Sequence, residues 1–169
     1  MPEQKNSKPK IEDVIPEYLD GDMQKTALGF VEYLRANKIN PVLTNHNAWK
    51  AVCKGKALLY IRICDADHYR RRCPDNPPSW VITLYFDNLK KYEDMVISEG
   101  LQSIIWDNVG YYCKSCRGCA PGGDITVLGK EINGVCIKVP LTWAFDPDQA
   151  TINGIKRLLE LEQKARQEK

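Results

Sequence analysis

Histidine is scarce in this chain, with two among 169 residues, and so are phenylalanine and methionine, with three each. His46 and His68 both fall in stretches that read as loops, and neither belongs to a His-Glu pairing of the metalloprotease kind. No serine occupies a nucleophile elbow and no Gly-rich phosphate loop occurs, so the common hydrolase and nucleotide-binding signatures are missing. Pro121-Gly122-Gly123 does not replace a phosphate loop, because no convincing helix follows it and Pro121 has no N–H to donate. No apolar run approaches the roughly 20 residues of a membrane span. Ala57-Leu58-Leu59-Tyr60-Ile61 is among the longest. The opening Met1-Pro2-Glu3-Gln4-Lys5 lacks the apolar stretch of a secretion signal. A formal net charge of +2 is too small to call for nucleic acid or an anionic membrane.

Thiols, by contrast, are plentiful. Seven cysteines are present, and four have ligand-like spacing: Cys113-x-x-Cys116-x-x-Cys119 in one stretch, and Cys136 beyond it. An odd count without an export signal points to a reducing cytoplasm rather than a disulfide framework. Zinc prefers four tetrahedral thiolate or imidazole ligands, and a Cys-x-x-Cys turn offers two from one tight loop. Gly118, Gly122 and Gly123 let the backbone wrap a metal where a Cβ would resist positive φ. Lys114, Arg117, Lys130 and Lys138 are close enough in sequence to offset the surplus negative charge. Four thiolates leave no open position for water, so the set reads as structural zinc rather than a hydrolytic centre.

An iron–sulfur cluster is the sharper alternative, since the same triple spacing opens the bacterial ferredoxin run. That run continues to a fourth Cys-Pro, whereas Cys119 is followed by Ala120-Pro121-Gly122-Gly123-Asp124. A remote fourth cysteine still suits the plant-type arrangement. A third reading leaves the thiols reduced or redox-paired without metal. A thioredoxin-like role fits poorly, because Cys113 does not sit between a strand and a well-signalled helix. Cys53, Cys64 and Cys73 have no ligand spacing; Cys53 reads as a small buried apolar residue, and Cys73 lies in an exposed loop.

Along the chain, residues 1–12 read as a disordered leader and residues 13–166 as one domain containing the metal-binding segment 113–136. Ile11 to Tyr18, with Pro16 inside it, reads as a loosely docked stretch. Asp20 or Asp22 can cap a helix to about Asn37, with Met23, Ala27, Phe30, Val31 and Leu34 on one face. Two strands follow, Ala48 to Cys53 and Ala57 to Cys64. A two-residue loop would pair Lys50 with Ile61 and set lysine among aliphatics, so a three-residue loop pairing Cys53 with Ala57, Ala51 with Leu59 and Trp49 with Ile61 is expected. Ser79 to Phe86 is a third strand. A helix capped by Asp87 and closed by Gly100 should turn Leu89, Tyr92, Met95 and Val96 inward, and Leu101 to Asn108 should form a further helical turn. Ile125 to Leu128 and Val135 to Val139 read as strands around Ile132-Asn133-Gly134. Asp146, Pro147 and Gln149 signal the start of a last helix, whose buried stripe is Ile152, Ile155, Leu158 and Leu159 and whose tail after Lys164 should fray.

These elements predict an α+β fold: a small antiparallel sheet with helices packed on one face and a Cys-rich metal-binding loop. With Trp80, Ile82, Leu84 and Phe86 toward the helices, the other face carries Lys50, Val52, Tyr60, Arg62, Thr83 and Tyr85. Tyr60, Arg62, Thr83 and Tyr85 are candidate ligand-binding residues, an aromatic-polar set suited to flooring a pocket for a small ligand, anions included. The bland reading is an ordinary amphipathic sheet, because tyrosine and threonine favour strands. The Tyr69-Arg70-Arg71-Arg72 run has aspartates around it and reads as a solvated loop rather than an RNA contact.

The order helix, hairpin, third strand, helix and terminal helix resembles the small YdhG-like α+β proteins of bacteria. That resemblance rests on Ala27 to Leu34, Trp49 to Ile63, Trp80 to Phe86 and the Asp146-Pro147 helix. The Cys113/Cys116/Cys119 block with Leu128-Gly129-Lys130 and Cys136 is similar to a group of proteins from anaerobic Gram-positive bacteria. The resemblance implies the fold and carries over no catalytic residue, and the cysteine segment departs from the plain YdhG-like pattern. The expectation is a cytoplasmic, non-enzymatic binding or accessory domain with a structural zinc site and a small-molecule or protein partner. Nucleic acid and membrane are not expected partners. An iron–sulfur redox or redox-sensing protein, and an enzyme using the Tyr60/Arg62/Tyr85 face on a small molecule, are the alternatives.

Overall fold

A computed structural model describes residues 8–64, 75–109, 123–135 and 142–168. Cys73, the Arg70–Arg72 run, and all four candidate ligands Cys113, Cys116, Cys119 and Cys136 lie outside them. The chain opens with α1 (Ile11–Tyr18) and α2 (Gly21–Ala36). Strands β1 (Val42–Asn45), β2 (Ala48–Cys53), β3 (Lys56–Ile63) and β4 (Trp80–Leu84) follow. A 3-10 turn (Leu89–Lys91) then leads through α3 (Glu93–Ser98) and α4 (Gln102–Asn108). The hairpin β5 (Gly123–Val127) and β6 (Lys130–Val135) precedes β7 (Thr142–Phe145) and α5 (Gln149–Gln167).

Five antiparallel strands, ordered β1-β2-β3-β4-β7, make one sheet, and β5-β6 make a separate hairpin. The inward residues of the central strands (Trp49, Ala51, Leu59, Ile61, Ile82, Leu84) share one core cluster with apolar stripes of α1, α2 and α5. The expected stripes on α2 (Ala27, Phe30, Val31, Leu34) and α5 (Ile152, Ile155, Leu158, Leu159) are buried. This is the α+β architecture expected from the sequence. Helix α1 is more than a loosely docked stretch, because Ile11 and Ile15 are fully buried in that core. Gly154 of α5 meets α4 so closely that a Cβ there would come within 2.8 Å of Ile104 Cγ1.

The β2–β3 hairpin reaches the expected register beyond its turn by another route, and Cys53 pairs with Lys56 rather than Ala57. Trp49 pairs with Ile61 and Ala51 with Leu59, but the turn has two residues, Lys54 (φ 52) and Gly55 (φ 78), between the paired Cys53 and Lys56. Val52 pairs with Ala57, so a bulge inserts Leu58 and shifts the register by one. Consecutive Leu58 and Leu59 are both buried as a result. The bulge does the work assigned to an odd loop.

Several boundaries move. The left-handed position after α2 is Lys38 (φ 59), not Asn37. Strand β1 was not foreseen; it is a short edge strand joined to β2 through His46 and Asn47, both at positive φ. The second hairpin turns at Leu128-Gly129 (φ 49 and 74), while Asn133 and Gly134 lie inside β6 at an irregular register. Met95 is exposed rather than inward, and Asp87 accepts an ion pair from Arg166 at 3.3 Å instead of capping a helix. The cap of α5 is Asp148, whose Oδ1 accepts from the Thr151 N–H at 2.8 Å. Asp146 sits at φ 42 and accepts from the Ser79 and Trp80 N–H groups at 2.8 and 2.9 Å, anchoring the start of β4.

The end of α5 does not fray. Arg166 is 8% exposed and Glu162 fully buried, and Arg166 Nε donates to Glu162 Oε1 at 2.7 Å. The same guanidinium donates to the carbonyls of Ala57 and Tyr85 at 3.0 and 3.1 Å and, at longer range, to those of Cys53 and Lys56. Glu162 also accepts from the Tyr92 hydroxyl at 2.6 Å and the Asn88 amide at 3.0 Å. Burial and the Glu162 carboxylate push the Tyr92 phenol well above its usual range. A polar knot thus ties the last turns of α5 to the β2–β3 turn and the exit of β4.

Candidate functional site

Strand pairing sorts the sheet's second face into rows. Val42 pairs with Lys50, Lys50 with Tyr60, Tyr60 with Thr83, and Thr83 with Trp143, so one row crosses all five strands. The next row runs Ala48, Arg62, Val81, Phe145. Residues paired across an antiparallel sheet point to the same side and sit ~4.5–5.5 Å apart. Tyr60, Arg62 and Thr83 therefore share one face on neighbouring strands. Tyr85 follows Thr83 by two positions just past β4, and its ring centroid lies 5.9 Å from that of Tyr60 with the planes tilted 49°. All four sequence candidates are brought together.

The electrostatics of this face are one-sided. Lys50 Nζ stands 5.7 Å from the Tyr60 ring centroid, a cation–π contact. Arg62 Nη1 donates to the His46 carbonyl at 3.2 Å, which holds its guanidinium toward the β1–β2 turn. Strands β1 to β4 and β7 contain no aspartate or glutamate. Burial, Tyr60 and Asp87 raise the Tyr85 phenol above its usual range, so it stays a neutral hydrogen-bonding group near neutrality. Val42 and Val52 are exposed on this side, at 57% and 52%.

Two aromatic residues of the face, Trp143 and Phe145, were not found from sequence because β7 was not. Their rings lie 6.3 Å apart, and Trp143 packs with Val81 and Cys64 in a small cluster separate from the main core. The only signal was the alternation Trp143-Ala144-Phe145, too short to name a strand and close behind Pro140.

Among the described residues no group of three or more His, Cys, Asp or Glu could hold a metal ion. The described backbone nevertheless bears on the cysteines. Gly123 and Val135 are paired across the β5–β6 hairpin. Cys136 is the next residue after Val135, and Cys119 stands four before Gly123.

A concavity of about 430 Å³ lies between the entry to α1, α2 and β1, lined in part by Lys8, Lys10, Glu12, Arg35 and Trp49. Its best-anchored cation is already taken: Arg35 holds Glu12 through two bonds of 2.7 and 3.2 Å, which depress the Glu12 carboxyl. No described helix is long and apolar enough to cross a membrane.

No protein-family model, curated protein or solved structure matches the chain. The functional reading therefore rests on residues and geometry alone.

Proposed function

We propose that this chain is a binding or accessory domain rather than a catalyst, taking a small ligand on the Tyr60, Arg62, Thr83 and Tyr85 face. One observation carries the reading: the bulged register aligns two phenols, a threonine and two cations on one side of the sheet. An ordinary solvated face would intersperse charges of both signs. Among the described residues, the five strands of this sheet offer no aspartate or glutamate to act as a general base, which favours binding over the enzyme alternative.

In the same reading, Cys113, Cys116, Cys119 and Cys136 hold a structural zinc. The Gly123–Val135 pairing supports it. Gly123 follows Cys119 by four residues in the sequence, and Val135 directly precedes Cys136. Zinc in four thiolates would supply a crosslink and no chemistry at the ligand.

A fragment screen by thermal shift, followed by NMR of the tyrosine rings, tests the binding face. Stabilising compounds are expected to move the Tyr60 and Tyr85 ring signals. Hits that all act elsewhere and leave both rings unmoved would sink the assignment.

A further inference from the structure

We infer that the ligand of this face is a planar aromatic anion, a ring system bearing a carboxylate or a phosphate. The inference rests on the binding reading above and specifies its ligand class. Tyr60 and Tyr85, 5.9 Å apart and tilted 49° to each other, present two ring planes at an angle rather than a parallel stack. Thr83 pairs with Tyr60 on one side and Trp143 on the other, so a short side chain lies between two aromatic ones. Ring planes set at an angle suit a flat ring, which gains by offset or edge contact with them.

Charge decides what the ring must carry. Lys50 and Arg62 flank Tyr60 from β2 and from two positions along β3, and the five strands offer no acid to neutralise them. Asp87, whose charge acts on Tyr85, is engaged by Arg166 at 3.3 Å. One Arg62 N–H is spent on the His46 carbonyl, which orients the guanidinium and leaves the planar fork able to meet an oxyanion. An aromatic cation would gain from the rings but meet two like charges, and at contact distance that repulsion outweighs the ring attraction of a partly exposed site. A non-aromatic anion would use the cations and forgo the rings.

The test is calorimetric titration of the whole chain at about 0.15 M salt, with NMR of the tyrosine rings. The probes are naphthoate, adenosine monophosphate, naphthalene methanol and benzyltrimethylammonium. At least one of the two anions should bind and move the Tyr60 and Tyr85 signals, and which one binds separates carboxylate from phosphate. Lys50→Met and Arg62→Met should each weaken that binding by about two- to fivefold, the range for partly exposed charges, with unchanged folding midpoints. Added salt should weaken it further. If the neutral alcohol or the cation binds as well as the anions, and neither substitution matters, the anion class is wrong while the face still binds. If no probe and no screened fragment moves either ring, both readings fall.

Discussion

Removing Arg166 should cost this domain a large part of its stability. Its guanidinium is 2.7 Å from the fully buried Glu162, a pair to which a Coulomb estimate at ~4 Å between charges applies. At an effective dielectric of ~20 that attraction is ~4 kcal/mol, and breaking a buried pair by deleting one partner costs ~3–5 kcal/mol. Arg166→Met also strips the Ala57 and Tyr85 carbonyls of a donor, while Glu162 keeps only Tyr92 and Asn88. We expect a loss of ~3–5 kcal/mol in urea denaturation. The midpoint of thermal unfolding should fall by roughly 6–20 °C, at ~2–4 °C per kcal/mol for this size. Glu162→Gln in that background keeps an acceptor for the Tyr92 hydroxyl and removes the stranded charge. The double variant should therefore recover ~1–3 kcal/mol, the coupling typical of contacting pairs. A single variant that loses under ~1 kcal/mol, or a double variant no better than the single, would refute the reasoning.

Three further outcomes follow from particular residues. Burial raises the Asp146 carboxyl above its ordinary value, outweighing the two backbone N–H groups that lower it. The native state thus holds that proton more tightly, and the linked stability is present below the unfolded value and lost as pH rises through the raised one. Denaturation at a series of pH values should show the wild type gaining on Asp146→Asn as pH falls from neutrality toward the aspartate range, and a constant difference would contradict it. Lys54→Asn should add ~0.5–1 kcal/mol by thermal melt, because Asn-Gly suits the two positive-φ turn positions Lys54 and Gly55 better than Lys-Gly; a loss would count against the turn as described. Protein purified without chelator should be colourless and hold about one zinc per chain, and chelation should lower its melting point. A brown sample with iron and sulfide would replace zinc with a cluster.

The core was legible because its signals are periodic: the α2 and α5 stripes and the alternation in β4 describe faces that burial enforces. The hairpin register was legible for the same reason, since only one pairing keeps Trp49, Ala51, Leu59 and Ile61 together. How the chain achieves it was not, because a bulge leaves no mark beyond two adjacent leucines. Edge strands β1 and β7, four residues each, are too short for periodicity to rise above composition. The caps misled because Asp146 and Asp148 both precede Pro-flanked helical sequence, and only tertiary contact with Ser79 and Trp80 tells them apart. Arg166 and Glu162 look like an ordinary solvated helix end, and nothing local foretells the carbonyls waiting 81 to 113 residues away. Of the candidate site, the four sheet residues were legible from strand parity, whereas Trp143 and Phe145 depended on the missed strand.

The place of α5 in the chain sets when the domain can close. As the ribosome works from the N-terminus, β2, β3 and β4 are made some time before the helix that covers part of their inner face. Until Ile152 to Arg166 emerge, Leu59, Ile61 and Ile82 lack part of their cover, and the β2–β3 turn carbonyls lack their donor. Such a half-made chain exposes apolar strand surface, the condition under which nascent chains recruit chaperones or aggregate. The knot at Arg166 can form only once α5 has been made, so the β2–β3 turn carbonyls gain their donor from one of the last residues of the domain to leave the ribosome.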